Sequence, residues 1–355
     1  MQTSENWPSR PSGYSLEQVI GKGAFGVVYS AKVLSGLHTN QKVAIKKIDL
    51  EDFPDHSLED IRQELLLTRL SLHPNVVSYH TSFLSSHYLW LVMPLFEGGS
   101  VGCILKQKFP YGVKDISLVA SILKDTLSAL AYFHQNRQIH RDVKAANLLV
   151  NGDGRVMLSD FGVAAKLKQG MNAKTFVGSP CWMAPEVIDS DNYRGYDYKA
   201  DIWSFGILAI ELAKGSPPYS DQLPMKVIML VLNKEPPLLS KNENLDSAFK
   251  ELVNACLQKD PAKRPSAQSL LNKSFFKKAK GPQYIKYHLL EYLPPLTARV
   301  VEEQKAPEEN KLSEKMMSGD WDFSLSGEYS KKPKEPLEEL GLDEEDPLES
   351  IGEFD

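Results

Sequence analysis

The chain has 355 residues, a formal net charge of −5 and 42% hydrophobic residues, long enough to bury the cores of two lobes. Its three cysteines, Cys103, Cys181 and Cys256, are an odd and widely spaced set, which argues against a disulfide framework or a zinc site. The start lacks a basic segment before an apolar core, and no apolar run reaches membrane-spanning length. The second residue is Gln2, not the glycine that N-myristoylation needs, and there is no C-terminal prenylation box. A cytoplasmic protein without membrane insertion is therefore expected.

In chain order, Tyr14 to Ile20 is a short strand-like run leading into Gly21-x-Gly23-x-Phe25-Gly26-x-Val28. Glycines there let backbone N–H groups approach phosphates with no Cβ in the way, although such a loop alone is often a plain turn. Val43-Ala44-Ile45-Lys46 reads as an apolar strand ending in a lysine. Ser57 is a helix N-cap, with Asp60 in the place of a capping-box glutamate; Leu58, Ile61 and Leu65 then mark the inward face, with Glu64 near it. Leu89 to Met93 is a buried strand by its continuous apolar run, and Gly98-Gly99-Ser100 is a turn. From Asp201 to about Lys214 the sequence is apolar nearly all round, as in a buried central helix.

The most informative stretch is His140-Arg141-Asp142-Val143-Lys144-Ala145-Ala146-Asn147, followed by Asp160-Phe161-Gly162. Two carboxylates, a lysine and a carboxamide at this spacing suit phosphoryl transfer from ATP, whose loose transition state asks for positioning and charge stabilisation. Asp142 is the candidate acceptor of a substrate hydroxyl proton, and Lys144 neutralises charge on the migrating group. Asn147 and Asp160 are oxygen ligands of the kind that Mg²⁺ prefers.

These motifs, in this order, resemble the eukaryotic protein kinases, with Val143 in place of the usual leucine. The resemblance implies an α+β, bilobal protein-kinase fold: an antiparallel-sheet N-lobe, a mainly helical C-lobe and a disordered acidic tail. The expected boundaries are 1–13 for an N-terminal extension, 14–97 for the N-lobe, 98–278 for the C-lobe and 279–355 for a linker and regulatory tail. It makes Lys46 the ligand of the α- and β-phosphates and Glu64 its salt-bridge partner. The nucleotide site is assigned to Ile20, Gly21, Gly23, Gly26, Val28, Ala44, Lys46, Met93 (the gatekeeper) and the hinge residue Phe96, whose N–H faces the base. Thr175, between Asp160 and Ala184-Pro185-Glu186, is the expected regulatory phosphosite, because Arg141 can pair with its phosphate. Asp201 is expected to brace the catalytic-loop backbone, and Arg264 to pair with Glu186.

Lys144 and the Gly178-Ser179-Pro180-Cys181-Trp182 run resemble serine/threonine kinases, and Val163, β-branched, accompanies a preference for threonine in such enzymes. The run from Ile139 to Ala145, the segment from Lys174 to Glu186 and Met225 to Leu230 look like the germinal-centre branch of the sterile-20 group. Phe275-Phe276-Lys277-Lys278-Ala279-Lys280 points within it to the proline/alanine-rich and oxidative-stress-responsive kinases. Two features depart from that subgroup and bear on its cotransporter substrates: its members continue into a docking domain, and their glycine loop lacks a pair such as Phe25-Gly26.

Residues 301–355 carry 18 Asp/Glu against 6 Lys/Arg, leaving +7 for the first 300 residues, a balance that gives no sign of nucleic-acid binding. The tail reads as disordered. Within it Trp321-Asp322-Phe323 resembles the tails of related kinases that bind a helical-repeat scaffold, the mouse-protein-25 family. Protein substrates, such a scaffold and an upstream activating kinase are the expected partners. Thr68, where kinases generally place Leu or Met, implies weak docking of the Glu64 helix. The alternative reading is a pseudokinase acting as an allosteric scaffold or binding partner.

Overall fold

The computed structural model describes residues 7–23, 26–51, 65, 72–160, 180–190, 192–193, 195–239, 245–296 and 298–299. Glu64, Thr68, Val163, Thr175, Trp321 and Phe323 lie outside the described residues.

Five strands form one antiparallel sheet in the order β1-β2-β3-β5-β4: β1 Tyr14–Gly23, β2 Gly26–Val33, β3 Lys42–Asp49, β4 Thr81–Ser85 and β5 Tyr88–Pro94. Side chains alternate across the sheet, and β3 shows the consequence. Val43 and Ile45 join Tyr14, Ala31, Val33, Trp90 and Val92 on one face, while Ala44 and Ile48 join Leu89, Leu91 and Met93 on the other. Lys46 has the parity of Ala44 and Ile48, so its chain runs along the second face. The first face is covered by the N-terminal segment. Trp7 stacks between His38 and His80, with ring centroids 3.9 and 4.0 Å away. Burial first, and His38 second, hold His80 down at about 4, so that ring is neutral against the indole.

The chain then passes through β6 (Gly99–Ser100) into α1 (Val101–Lys108) and α2 (Ile116–Gln135). Ser100 caps α1 by accepting from the Cys103 N–H at 3.1 Å, and Asp115 caps α2 by accepting from the Ser117 N–H at 2.9 Å. Contrary to the sequence expectation, α2 is long and apolar enough to cross a membrane by length and composition. Leu118, Ile122, Leu123, Leu127 and Leu130 are instead fully buried in the C-lobe core. A membrane-length apolar run and a central core helix present the same composition; packing tells them apart.

Two short strands follow, β7 (Leu148–Val150) and β8 (Val156–Leu158), paired with β6 in the order β6-β7-β8. The rest of the C-lobe comprises α3 (Pro185–Ile188), α4 (Lys199–Lys214), α5 (Pro224–Asn233), α6 (Ser247–Cys256), α7 (Ala267–Leu271) and α8 (Pro282–Ile285). The buried helix read from Asp201 onward is α4, closed by Gly215 in the left-handed region at φ 89°.

Residues 279–299, read from sequence as the start of a linker, are folded in their described part. Helix α8 continues into a π-helical turn at Lys286–Leu290, and Ile285 and Leu289 are buried in the C-lobe core. They lie four positions apart, about one helical turn, and Tyr284, Leu290 and Leu293 pack against the same core.

Candidate active site

The segment 139–147 joins α2 to β7 and is extended at Lys144. Its side chains alternate: Val143 and Ala145 are fully buried in the C-lobe core, whereas Asp142 and Lys144 are partly exposed. Valine in place of leucine at 143 keeps an apolar anchor there, and the alternation sends the two charged residues to the same side.

A buried carboxylate holds this loop. Asp201, on the first turn of α4, accepts the His140 N–H at Oδ2 and the Arg141 N–H at Oδ1, each at 2.8 Å, and lies 2.9 Å from His134 Nε2. Burial opposes its charge, but the hydrogen bond and charge of His134, with His140 and its N–H, leave its carboxyl below the usual range. The bracing role expected of Asp201 is thus visible as two backbone hydrogen bonds. They hold Arg141 at φ 68°, a conformation that L side chains rarely adopt.

His140 links the loop to the end of β8. Its ring is fully buried, with Nε2 2.9 Å from the Ser159 carbonyl and Nδ1 facing the Asp142 N–H at 3.3 Å. A neutral imidazole with the proton on Nε2 satisfies both, and burial lowers the ring's pKa in the same sense. Ser159 in turn donates its N–H and its hydroxyl to the Asn147 carbonyl, both at 2.9 Å. Sequence reasoning passed over Ser159; its position directly before Asp160-Phe161-Gly162 was the available signal.

Three charged or polar side chains converge here. Asn147 donates from Nδ2 to the Asp142 carboxylate at 2.9 Å and to the Asp142 carbonyl at 2.7 Å. Lys144 Nζ lies 3.1 Å from Asp142 Oδ1. Asp160 follows in the left-handed region, φ 61°, and its Oδ1 accepts from Lys46 Nζ. That contact bridges the lobes: Lys46 comes from β3 and is 7% exposed, so its ammonium is stripped of most of its water and needs an anionic partner. The sequence reading paired Lys46 with Glu64, outside the described residues. Among those described the carboxylate on Lys46 is Asp160. Tyr79 is buried nearby; burial first and the Asp160 charge second push its hydroxyl upward.

The face of β3 that carries Lys46 also carries an apolar cluster. Ala44, Met93 and Phe96 are buried in one cluster, with Ile20, Val28, Leu149 and Met157 packed against it. Gly21 pairs with Val28 and Gly23 with Gly26 at the end of the β1–β2 pair where the two strands connect. Gly26 sits at φ 131°, where a Cβ would meet the Lys47 carbonyl oxygen at 2.0 Å, so no other residue fits without moving β3. The described catalytic and nucleotide-site assignments thus come from neighbouring elements around one region, while Glu64, Thr175, Trp321 and Phe323 lie outside the described residues. Leu149 and Met157 were missed because β7 and β8 are too short to show a period.

Glu211 was also missed, hidden in the apolar run of α4. It accepts the Ala145 N–H at 3.1 Å and the Trp182 indole N–H at 2.9 Å on the same oxygen, tying the catalytic loop to the segment before α3. Burial pushes its carboxyl from the ordinary 4.5 to about 7, although both hydrogen bonds and Lys144 favour the charge. The folded state therefore holds a proton that the unfolded chain has lost between about 4.5 and about 7. Through that window Glu211 makes stability fall as pH rises, with no further change above it. Glu211→Gln keeps an acceptor oxygen and removes the titration. A series of thermal melts across this window should show a flatter profile for the variant; an unchanged profile would place the proton elsewhere.

A protein kinase domain model matches residues 14–276. The chain is 46% identical over 299 residues to serine/threonine-protein kinase fray2 of Dictyostelium discoideum, covering 83% of this chain and 28% of that protein. It is 44% identical over 345 residues to germinal center kinase 3 of Caenorhabditis elegans, covering 91% and 57%. Against serine/threonine-protein kinase cst-1 of Caenorhabditis briggsae it is 39% identical over 274 residues, covering 77% and 53%. The chain thus spans between about a quarter and three-fifths of the length of these curated relatives.

Proposed function

The chain belongs to the protein kinase family, among relatives of the sterile-20 germinal-centre type, and we propose that it transfers the γ-phosphoryl group of ATP to serine and threonine hydroxyls of proteins. The observation that carries this reading is the contact of Lys46, from the N-lobe sheet, with Asp160 beside the Asp142–Lys144–Asn147 cluster. It supports one site in which Lys46 meets phosphate, Asn147 and Asp160 offer oxygen donors and Asp142 is the base.

In this reading Asp142 takes the proton of the acceptor hydroxyl at a carboxylate oxygen, while the Asn147 carboxamide keeps that carboxylate oriented. Lys144, beside the same carboxylate, balances charge on the oxygens being transferred. Lys46 holds the α- and β-phosphates, and the slot of Ile20, Val28, Ala44, Met93 and Phe96 takes the base. Asn147 and Asp160 offer carboxamide and carboxylate oxygens, a donor set that fits Mg²⁺. Bound there, Mg²⁺ would neutralise phosphate charge. Arg141 supports Thr175 as the activating site: its buried Nε has no hydrogen-bond partner among the described residues, and a loop phosphate would supply one.

The test is transfer of labelled phosphate from ATP to a generic protein by wild type and Asp142→Asn. Transfer that disappears in the variant supports the reading. Equal incorporation by both would remove it, and nucleotide binding without transfer in wild type would favour the pseudokinase alternative.

Threonine is the proposed preferred acceptor, with Val163 packing on its methyl group, a contact of ~0.8 kcal/mol. Peptides differing only in Thr or Ser should be used unequally, and equal or better use of serine would exclude the preference. For the tail, the proposed partner is a helical-repeat scaffold of the mouse-protein-25 type, gripping Trp321 and Phe323. Aromatic anchors dominate such interfaces, so alanine at both positions should weaken binding by ~2 kcal/mol or more. Equal pull-down of the scaffold by the double variant would show that the anchor lies elsewhere.

A further inference from the structure

Beyond residue 276, where the family match ends, the chain turns back along the C-lobe to the hinge. Lys280 donates its N–H to Ser121 Oγ at 2.7 Å, and the Tyr284 hydroxyl donates to Asp115 Oδ2 at 2.6 Å. Lys108 Nζ, at the end of α1, donates to the carbonyls of His288 and Glu291, both at 2.9 Å. These contacts lead the segment to Arg299, whose guanidinium donates from one terminal nitrogen to the Gly98 carbonyl at 2.6 Å and from the other to the Glu97 carbonyl at 2.9 Å.

Arg299 is 2% exposed. A buried guanidinium is costly unless its donors are met, and here the backbone just after Phe96 meets them. Desolvation acts against its charge, and its Nε has no acceptor among the described residues. The hinge carbonyls are thus its hydrogen-bonding partners.

The fit is close enough to explain Gly98 and Gly99. A Cβ on Gly98 would meet Leu290 Cδ2 at 2.8 Å and the Val150 carbonyl oxygen at 2.6 Å. A Cβ on Gly99, at φ 69°, would meet Leu296 Cδ1 at 2.7 Å. The sequence shows a flexible turn; the structure shows a turn pressed between β7 and the returning segment. The Gly98 N–H donates to Val150 and the Gly99 N–H to the Phe96 carbonyl, at 3.0 and 2.9 Å. With Arg299 on the two intervening carbonyls, the peptides next to the base slot have few free rotations.

We infer that Arg299 is a positioning residue for the nucleotide site, fixing the Glu97 and Gly98 carbonyls and through them the Phe96 backbone that faces the base. This rests on the ATP reading given above. Two hydrogen bonds from a charged donor are at stake, and their loss frees two peptide groups that binding must then order again. Arg299→Ala should therefore weaken ATP binding by about tenfold, while kcat at saturating ATP and KM for a peptide substrate change by less than about twofold.

The experiment titrates a fluorescent ATP analogue into the full chain and measures KM for ATP and for peptide. It compares wild type, Arg299→Ala, Arg299→Lys and Tyr292→Ala, the last an exposed residue of the same segment. The expected result is a raised nucleotide Kd and KM in Arg299→Ala, partial recovery in Arg299→Lys and no change in Tyr292→Ala. If Arg299→Ala fails to fold, an intermediate Kd in Arg299→Lys supports the inference and a wild-type Kd overturns it. A lowered melting temperature with unchanged nucleotide affinity also overturns it, leaving a purely structural anchor. Wild type that binds no nucleotide overturns the ATP reading and this inference together, a result separable from a wild type that binds beside a variant that binds equally.

Discussion

Asp160→Ala and Lys46→Met are each expected to reduce phosphoryl transfer to background while leaving a folded protein. Both residues belong to one contact that joins the lobes at the site. Without the Asp160 carboxylate the cleft keeps Asn147 but loses its anionic oxygen donor and the described partner of Lys46. Without the ammonium, the phosphates lose the cation that β3 supplies. Electrostatic and acid–base groups of this kind are worth about a hundredfold to ten-thousandfold each. Steady-state assays beside circular dichroism and thermal melts separate chemistry from folding. Methionine replaces the Lys46 chain at similar volume, so its fold should be the less disturbed. Near wild-type turnover in either folded variant would remove the mechanism proposed for this site.

Breaking the Arg264–Glu186 pair should produce the largest loss of stability, ~3–5 kcal/mol for Arg264→Met in urea unfolding. Both residues are 1% exposed and meet in two parallel hydrogen bonds of 2.5 and 2.9 Å. Arg264 also donates to the carbonyls of Gln258 and Lys199, at 2.7 and 2.9 Å, and stacks 5.2 Å from the Trp203 ring. Methionine leaves Glu186 buried without this counter-charge and two carbonyls without these donors. Adding Glu186→Gln to Arg264→Met should recover part of the loss, because the stranded charge is then gone. Full additivity of the two changes would show that they do not act through the pair.

Local features of the fold were readable because each is written in neighbouring residues. The strand around Val43 to Lys46 shows in its apolar run, α4 in its long apolar stretch, and the catalytic loop in the spacing of Asp142, Lys144 and Asn147. The pairing of Arg264 with Glu186 and the bracing by Asp201 were reachable only through resemblance, since 78 residues separate the first pair. Where several structures share one composition, the reading failed. Helix α2 has the length and hydropathy of a membrane span, and packing alone makes it a core helix. The resemblance places the domain end near Lys278 and so leaves residues 279–299 to a linker, yet Ile285 and Leu289 are buried in the C-lobe core and Tyr284, Leu290 and Leu293 pack against it.

By itself the sequence determined the chemical inventory of this protein: the order and spacing of the glycine loop, Lys46, Asp142, Asn147 and Asp160, and the apolar runs of its central strands and of α4. These depend on local periodicity and on side-chain chemistry, both readable a few residues at a time. Only the tertiary structure decided which charges meet. Lys46 and Asp160 are 114 residues apart, and Arg299 reaches the Gly98 carbonyl across 201. Glu211 becomes a ligand of the catalytic loop because α4 passes beneath Ala145. A charge withdrawn from water must find a partner, and which partner stands within reach is set by how the elements pack.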